Sequence, residues 1–190
     1  MFKCTKKIAF AAVTVFTAAA LGGCSGKLPF GTKTVDFDKS YVVTADITCD
    51  KLEAKADVTR LSDSDWEFTF TEPKELNGIT LHFGEKGYTA YLGGLSFDAD
   101  GRAGYVMLPE IIADTVDSLA NCTSENFVQK DGILTADLDY NGKKVTVTAH
   151  DKTGELISLK CPYHKLSVAF SGQHDYVSEL PEDGGLIIRE

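Results

Sequence analysis

Apolar runs long enough to cross a bilayer are missing from this 190-residue chain: the longest, Ile8 to Leu21, has 14 residues, against about 20 for a helix spanning a ~30 Å hydrocarbon core. Basic residues are scarce, 19 against 28 acidic, and Lys3, Lys6 and Lys7 precede that run, so the remainder carries an excess of 12 negative charges. Such a balance disfavours nucleic acid and anionic headgroups as partners. Cysteine is sparse as well. Beyond Cys24 only Cys49, Cys122 and Cys161 remain, an odd set that permits at most one internal disulfide and leaves its pairing open. Catalytic signatures are lacking: no Gly-x-Ser-x-Gly elbow, phosphate-cradling loop or paired-carboxylate cleft can be read, which argues against an enzyme. Cys161-x-x-His164 is half of a four-ligand zinc site, and Asp98-x-Asp100-Gly101 lacks the later glutamate of a calcium loop. Neither a metal nor a cofactor is expected.

What the N-terminus does contain is ordered. Three lysines without an acid precede the apolar, alanine-rich run, and Leu21-Gly22-Gly23-Cys24 follows it. This is the layout of a secretory signal, and its last four residues resemble the bacterial lipobox, whose cysteine accepts a diacylglyceryl group before cleavage. The reading divides the chain into a signal peptide at 1–23, a lipidated N-terminus and tether at 24–39, a folded domain at 40–172 and an acidic tail at 173–190. Cys24 is the expected lipidation site. Two or three acyl chains make a stable anchor where one holds weakly, so the domain is expected at the extracytoplasmic face of the cell membrane. The tail holds Leu186-Ile187-Ile188, which is expected to add a last strand at an open sheet edge of this or a neighbouring chain, the alternative being a disordered tail.

The mature chain is a succession of short alternating segments. Leu52, Ala54, Ala56 and Val58 share one parity and Lys51, Glu53, Lys55 and Asp57 the other; Trp66, Phe68 and Phe70 oppose Glu67, Thr69 and Thr71. These are strands with one wet face. The split recurs at Tyr41 to Cys49, Ile79 to Phe83, Leu134 to Tyr140, Val145 to Ala149, at Ile157, Leu159 and Cys161, and at Leu166 to Phe170. Asn141-Gly142 is the strongest hairpin signal, because both residues tolerate the positive φ of a type I′ turn. Hairpin-length connections make consecutive strands antiparallel neighbours.

One helix stands out. Pro109 sits in its first turn, where the missing donor costs nothing, and Leu108, Ile111, Ile112, Val116 and Leu119 form one apolar stripe opposite Glu110, Asp114, Asp117 and Ser118. About ten or eleven strands each present an apolar face, yet a helix ~10 Å wide covers roughly two strands at ~4.8 Å each. A flat sheet would leave a greasy wall in water. The expected fold is therefore mainly β: a curved antiparallel meander, a half-barrel of 10–11 strands, with one amphipathic helix across its concave face. A two-layer sandwich is the alternative.

The run Trp66-x-Phe68-x-Phe70-x-x-Pro73-x-x-Leu76-x-Gly78-Ile79-x-Leu81-x-Phe83, followed by Tyr88 to Leu95 with Gly93-Gly94-Leu95, resembles the strand, Pro-x-x-Leu, strand, Gly-Leu pattern of the LolA/LolB-like lipoprotein-carrier superfamily. The resemblance implies a lipoprotein of a Gram-positive bacterium, with an apolar concavity that takes acyl chains. On it, Trp66, Phe68, Phe70, Leu81, Phe83, Tyr88, Ile111, Ile112 and Leu119 are the expected ligand-lining residues; the rival reading packs them as ordinary core. Arg60 and Arg102 are the mid-chain candidates for the carriers' concave-face arginine. The expected ligand is an acyl chain, a lipid or a lipidated partner. The alternative is an envelope or spore-related regulatory lipoprotein that recognises a protein partner, or a second copy in a homodimer, with no lipid cargo.

Overall fold

The computed structural model describes residues 27–30, 33–84, 87–99 and 107–177. The signal region, Cys24, Arg102 and Leu186 to Ile188 lie outside them. A short hairpin, β1 (Lys27–Phe30) and β2 (Lys33–Asp36), leads in. Then come β3 (Tyr41–Cys49), β4 (Leu52–Ser62), β5 (Asp65–Glu72), β6 (Thr80–Gly84), β7 (Gly87–Leu92) and β8 (Leu95–Ala99), followed by helix α1 (Met107–Ala120). The chain finishes with β9 (Phe127–Lys130), β10 (Ile133–Tyr140), β11 (Lys143–His150), β12 (Leu156–Cys161) and β13 (Leu166–Asp175).

β3 to β13 form one 11-stranded antiparallel sheet in the order β8-β7-β6-β5-β4-β3-β13-β12-β11-β10-β9. It is curved and unclosed, with α1 against its concave side. Two meanders, β3 to β8 and β9 to β13, are thus joined edge to edge where the last strand pairs with the first, Tyr41 opposite Asp175 and Cys49 opposite Leu166. The alternating parity decides the faces. Tyr41, Val43, Ala45 and Ile47 of β3, Ala56 and Val58 of β4, Leu134 and Ala136 of β10, and Val145, Val147 and Ala149 of β11 are buried, while intervening Asp46, Asp137 and His150 reach water.

Three sequence expectations change. Residues 27–30 and 33–37 are not a tether: Lys27–Phe30 pairs with Lys33–Asp36, and Val35 and Phe37 are core residues, Phe37 stacking on Phe127 at 5.5 Å between ring centroids. Pro29 is compatible with a strand here because a two-stranded edge leaves its missing donor uncompensated at little cost. On β12, Leu156 takes the buried position expected for Ile157, since the ladder with β11 jumps from Ser158 to Leu156 and the extra residue of this bulge shifts the parity. The domain does not end at 172, because β13 runs on to Asp175 past an irregularity in its pairing with β3.

Candidate functional site

The register aligns the concave side chains of β3 to β8 in rows. Tyr41, Arg60, Trp66, Phe83 and Tyr88 stand side by side in the first. Val43, Val58, Phe68, Leu81, Ala90 and Phe97 make the second. Ala45, Ala56 and Phe70 begin the third, which Leu92 and Leu95 continue at the β7–β8 turn. Aromatic rings run through these rows in contact, Tyr41 on Trp66, Phe68 on Phe83 and Phe83 on Tyr88, mostly edge to face, the arrangement that ring quadrupoles favour.

The helix is fastened over the first row by charge. Arg60, with no exposed surface, donates from Nε to Asp117 Oδ1 at 2.8 Å, from Nη2 to Asp38 at 3.0 Å and from Nη1 to the Lys39 carbonyl at 3.0 Å. The second oxygen of Asp117 accepts from the Trp66 indole at 2.8 Å and from the Ser64 amide at 3.1 Å. Burial works against the guanidinium charge, but the bonds to Asp117 and Asp38 outweigh it and hold its pKa above the usual range. Asp117, expected on the wet face of the helix, is therefore inside. One turn away, Asp114 lines a cleft of about 220 Å³ between α1 and the β6–β7 turn, bordered on the sheet side by Trp66, Phe83 and Tyr88. Burial, then Glu110 and Asp117, push its carboxyl up to about 6.

Cover ends before the sheet does. Trp66, Phe68, Phe83, Ile111, Ile112 and Leu119, six of the nine expected ligand-lining residues, are closed into the core beneath and on the helix. Phe70, Leu81 and Tyr88 are only partly buried against that core. Beyond them, where the second and third rows reach β7 and β8, Leu92, Leu95 and Phe97 are 47, 62 and 55% exposed although the register puts them on the concave side. These six make an apolar corner on the concave side of β5 to β8, partly buried at Phe70, Leu81 and Tyr88 and exposed at Leu92, Leu95 and Phe97 toward the edge strand β8. The sequence reading missed Leu92, Leu95 and Phe97; their signal was the alternation Leu95-x-Phe97 on the far side of a Gly-Gly turn, read from one strand without its partner.

The three thiols outside the N-terminal region are free. Cys49 and Cys161 both lie opposite Leu166 on either side of β13, so two ladder steps, about 10 Å, separate their Cα atoms, beyond the ~7 Å that a disulfide tolerates. Burial, then Asp50, raises the Cys49 thiol pKa, and its Sγ donates to the His164 carbonyl at 3.2 Å.

No family model matches the chain, and no curated protein does. Solved structures that match the chain include an uncharacterized conserved protein of Thermus thermophilus, 13% identical with a TM-score of 0.47, the match covering 77% of this chain and 88% of that one. A LolA superfamily protein of Nitrosomonas europaea is 9% identical, with a TM-score of 0.37 and coverage of 83% and 92%. A domain described as an outer membrane lipoprotein-sorting protein, from Vibrio parahaemolyticus, is 10% identical, with a TM-score of 0.34 and coverage of 76% and 88%. At these identities and scores none of them bears on the ligand of this chain.

Proposed function

We propose that the protein is a lipid-anchored, extracytoplasmic binding protein of a Gram-positive bacterium, built as a LolA-like carrier, that holds an acyl chain or a lipidated partner on the uncovered corner of its concave face. The anchor is Cys24 of the lipobox. The observation that carries the binding reading is the exposure of Leu92, Leu95 and Phe97 on the same face as the buried aromatic rows. Contiguous apolar surface left in water marks ligand-binding grooves and protein interaction sites. The three side chains, beside Phe70, Leu81 and Tyr88, offer a ligand a greasy track with no charged side chain among them. This is a role in binding, and none of the six residues supplies an acid, base or nucleophile of ordinary strength.

The position of Leu95 and Phe97 on an edge strand favours one second reading, in which a partner chain adds a strand to β8 and seats its apolar side chains in the same corner. Titration of the folded chain with a fluorescent fatty acid separates the two. Full burial of a Leu or Phe is worth ~1.5–3 kcal/mol, so Leu95→Glu and Phe97→Glu should each weaken binding tenfold or more. Saturable binding that both variants leave unchanged removes the corner as the site. Absence of both fatty-acid binding and co-purifying lipid in native mass spectrometry removes the acyl ligand and leaves the strand-addition reading.

A further inference from the structure

We propose that the rim of the sheet bearing the β11–β12 turn is the face that this protein turns to the bilayer, held there by an anchor too short to let the domain swing. The inference rests on the reading of Cys24 as lipidated. Lys27 pairs with Asp36 across the hairpin, and only three residue steps separate Lys27 from Cys24. A fully extended chain spans at most ~3.6 Å per residue, so Cys24 lies within about 11 Å of Lys27, and one ladder spacing of ~5 Å more brings it to Asp36. The acyl chains are therefore bound to enter the membrane within roughly 16 Å of Asp36.

Where Asp36 sits is well defined. Val35 and Phe37 on either side of it are buried, and Gly154 of the β11–β12 turn is packed so tightly on Val35 that a Cβ there would lie 2.6 Å from Val35 Cγ1. Asp36 shares an open groove of about 470 Å³ with Lys39, Lys152, Glu155, His174 and Asp175. All belong to one end of the sheet, where β3 begins and β11 and β13 finish. Next to them Tyr176, tied by its amide to the Ser40 carbonyl at 3.2 Å, and Val177 are 40 and 78% exposed. An aromatic and an aliphatic side chain beside a groove lined by lysines and carboxylates suits the headgroup layer, where Tyr is enriched. The mixed charge of the groove means that proximity comes from the anchor and does not require anionic lipid. The opposite end, with Tyr163 after β12, is a full length of β13 away, 10 residues or about 34 Å.

The test uses the mature, lipidated protein in phosphatidylcholine vesicles containing a dansyl-headgroup lipid, with energy transfer from tryptophan as the readout. Tyr176→Trp places a donor at the proposed membrane rim and Tyr163→Trp one at the far end; both sites are exposed and aromatic. Buried Trp66 contributes equally to both variants and is subtracted using the parent. Transfer from Tyr176→Trp should exceed that from Tyr163→Trp severalfold, and inserting a long Gly/Ser segment between Gly26 and Lys27 should erase the difference. Equal transfer, or more from Tyr163→Trp, in protein that floats with the vesicles overturns the orientation and leaves the anchor intact. Protein that does not float, with an N-terminal peptide of unmodified mass, overturns the anchor and the orientation with it.

Discussion

Replacing Asp117 with alanine removes the hub of the helix-to-sheet attachment. Arg60 and the Trp66 indole each lose a 2.8 Å partner, both in a part of the core with almost no exposure. Breaking a buried ion pair by deleting one member costs ~3–5 kcal/mol, since the surviving charge is left uncompensated. Arg60 keeps Asp38 and the Lys39 carbonyl, both at 3.0 Å, and the Asp38 side chain is 45% exposed. Water can therefore reach the residual pair, and the lower end of that range, about 3 kcal/mol, is the expected loss. For a domain of this size it corresponds to roughly 10 °C in Tm. The discriminating measurement is a double-mutant cycle by urea unfolding with Arg60→Met, Asp117→Leu and the combination. If the pair is coupled as described, the double variant should be less damaged than the sum of the singles by about 2 kcal/mol. Additive losses, or an Asp117→Ala variant within ~1 kcal/mol of the parent, would refute the claim that charge fastens α1 to the sheet.

Other consequences are open to direct measurement. Because Asp114 binds its proton more tightly folded, near 6, than its ordinary 3.8, ionising it lowers stability progressively as pH rises from about 4 through 6. Asp114→Asn should therefore raise stability at pH 7.5 by about 1 kcal/mol, after allowing for solvent screening, and leave it unchanged at pH 3.5; a gain that persists at the lower pH would exclude this cause. Gly154→Ala meets both a φ of +76° and the wall of Val35, so a loss of roughly 2 kcal/mol or more should appear in thermal unfolding. Unfolding in an alkylating agent without reductant should leave Cys49, Cys122 and Cys161 all modified by mass, and a Cys49–Cys161 linked peptide would contradict the ladder spacing.

Much of this architecture was open to inference from one chain because period-2 alternation survives burial on one side. The parity of Ala54 to Val58, of Trp66 to Phe70 and of Val145 to Ala149 named the inner face correctly, though Leu52 at the head of its strand is 40% exposed, and Asn141-Gly142 sits at the positive φ that its hairpin demands. Arguments from periodicity fail where a partner decides. Asp117 reads as solvent-facing on a helical wheel and is buried only because Arg60, 57 residues earlier, stands opposite it. Ile157 and Leu156 exchange roles through a bulge that only the neighbouring strand reveals. Val35 and Phe37 lie among Gly, Pro and Lys, a composition that signals a linker, and become core by stacking on Phe127 and Gly154. At the candidate site the same limit applies: the aromatic set was visible as apolar, whereas which members the helix covers depends on where α1 stops.

The seam between β3 and β13 has a bearing on biogenesis. β3 receives its second neighbour only when residues 166–175 arrive, more than a hundred positions after its own synthesis. Closing so long a loop is entropically slow, and until it closes the two meanders have no common interior. On the proposed reading as an exported lipoprotein, this order keeps the chain open during transfer across the membrane, because the contact that joins the two meanders is made by β13, the strand that follows all the others of the sheet.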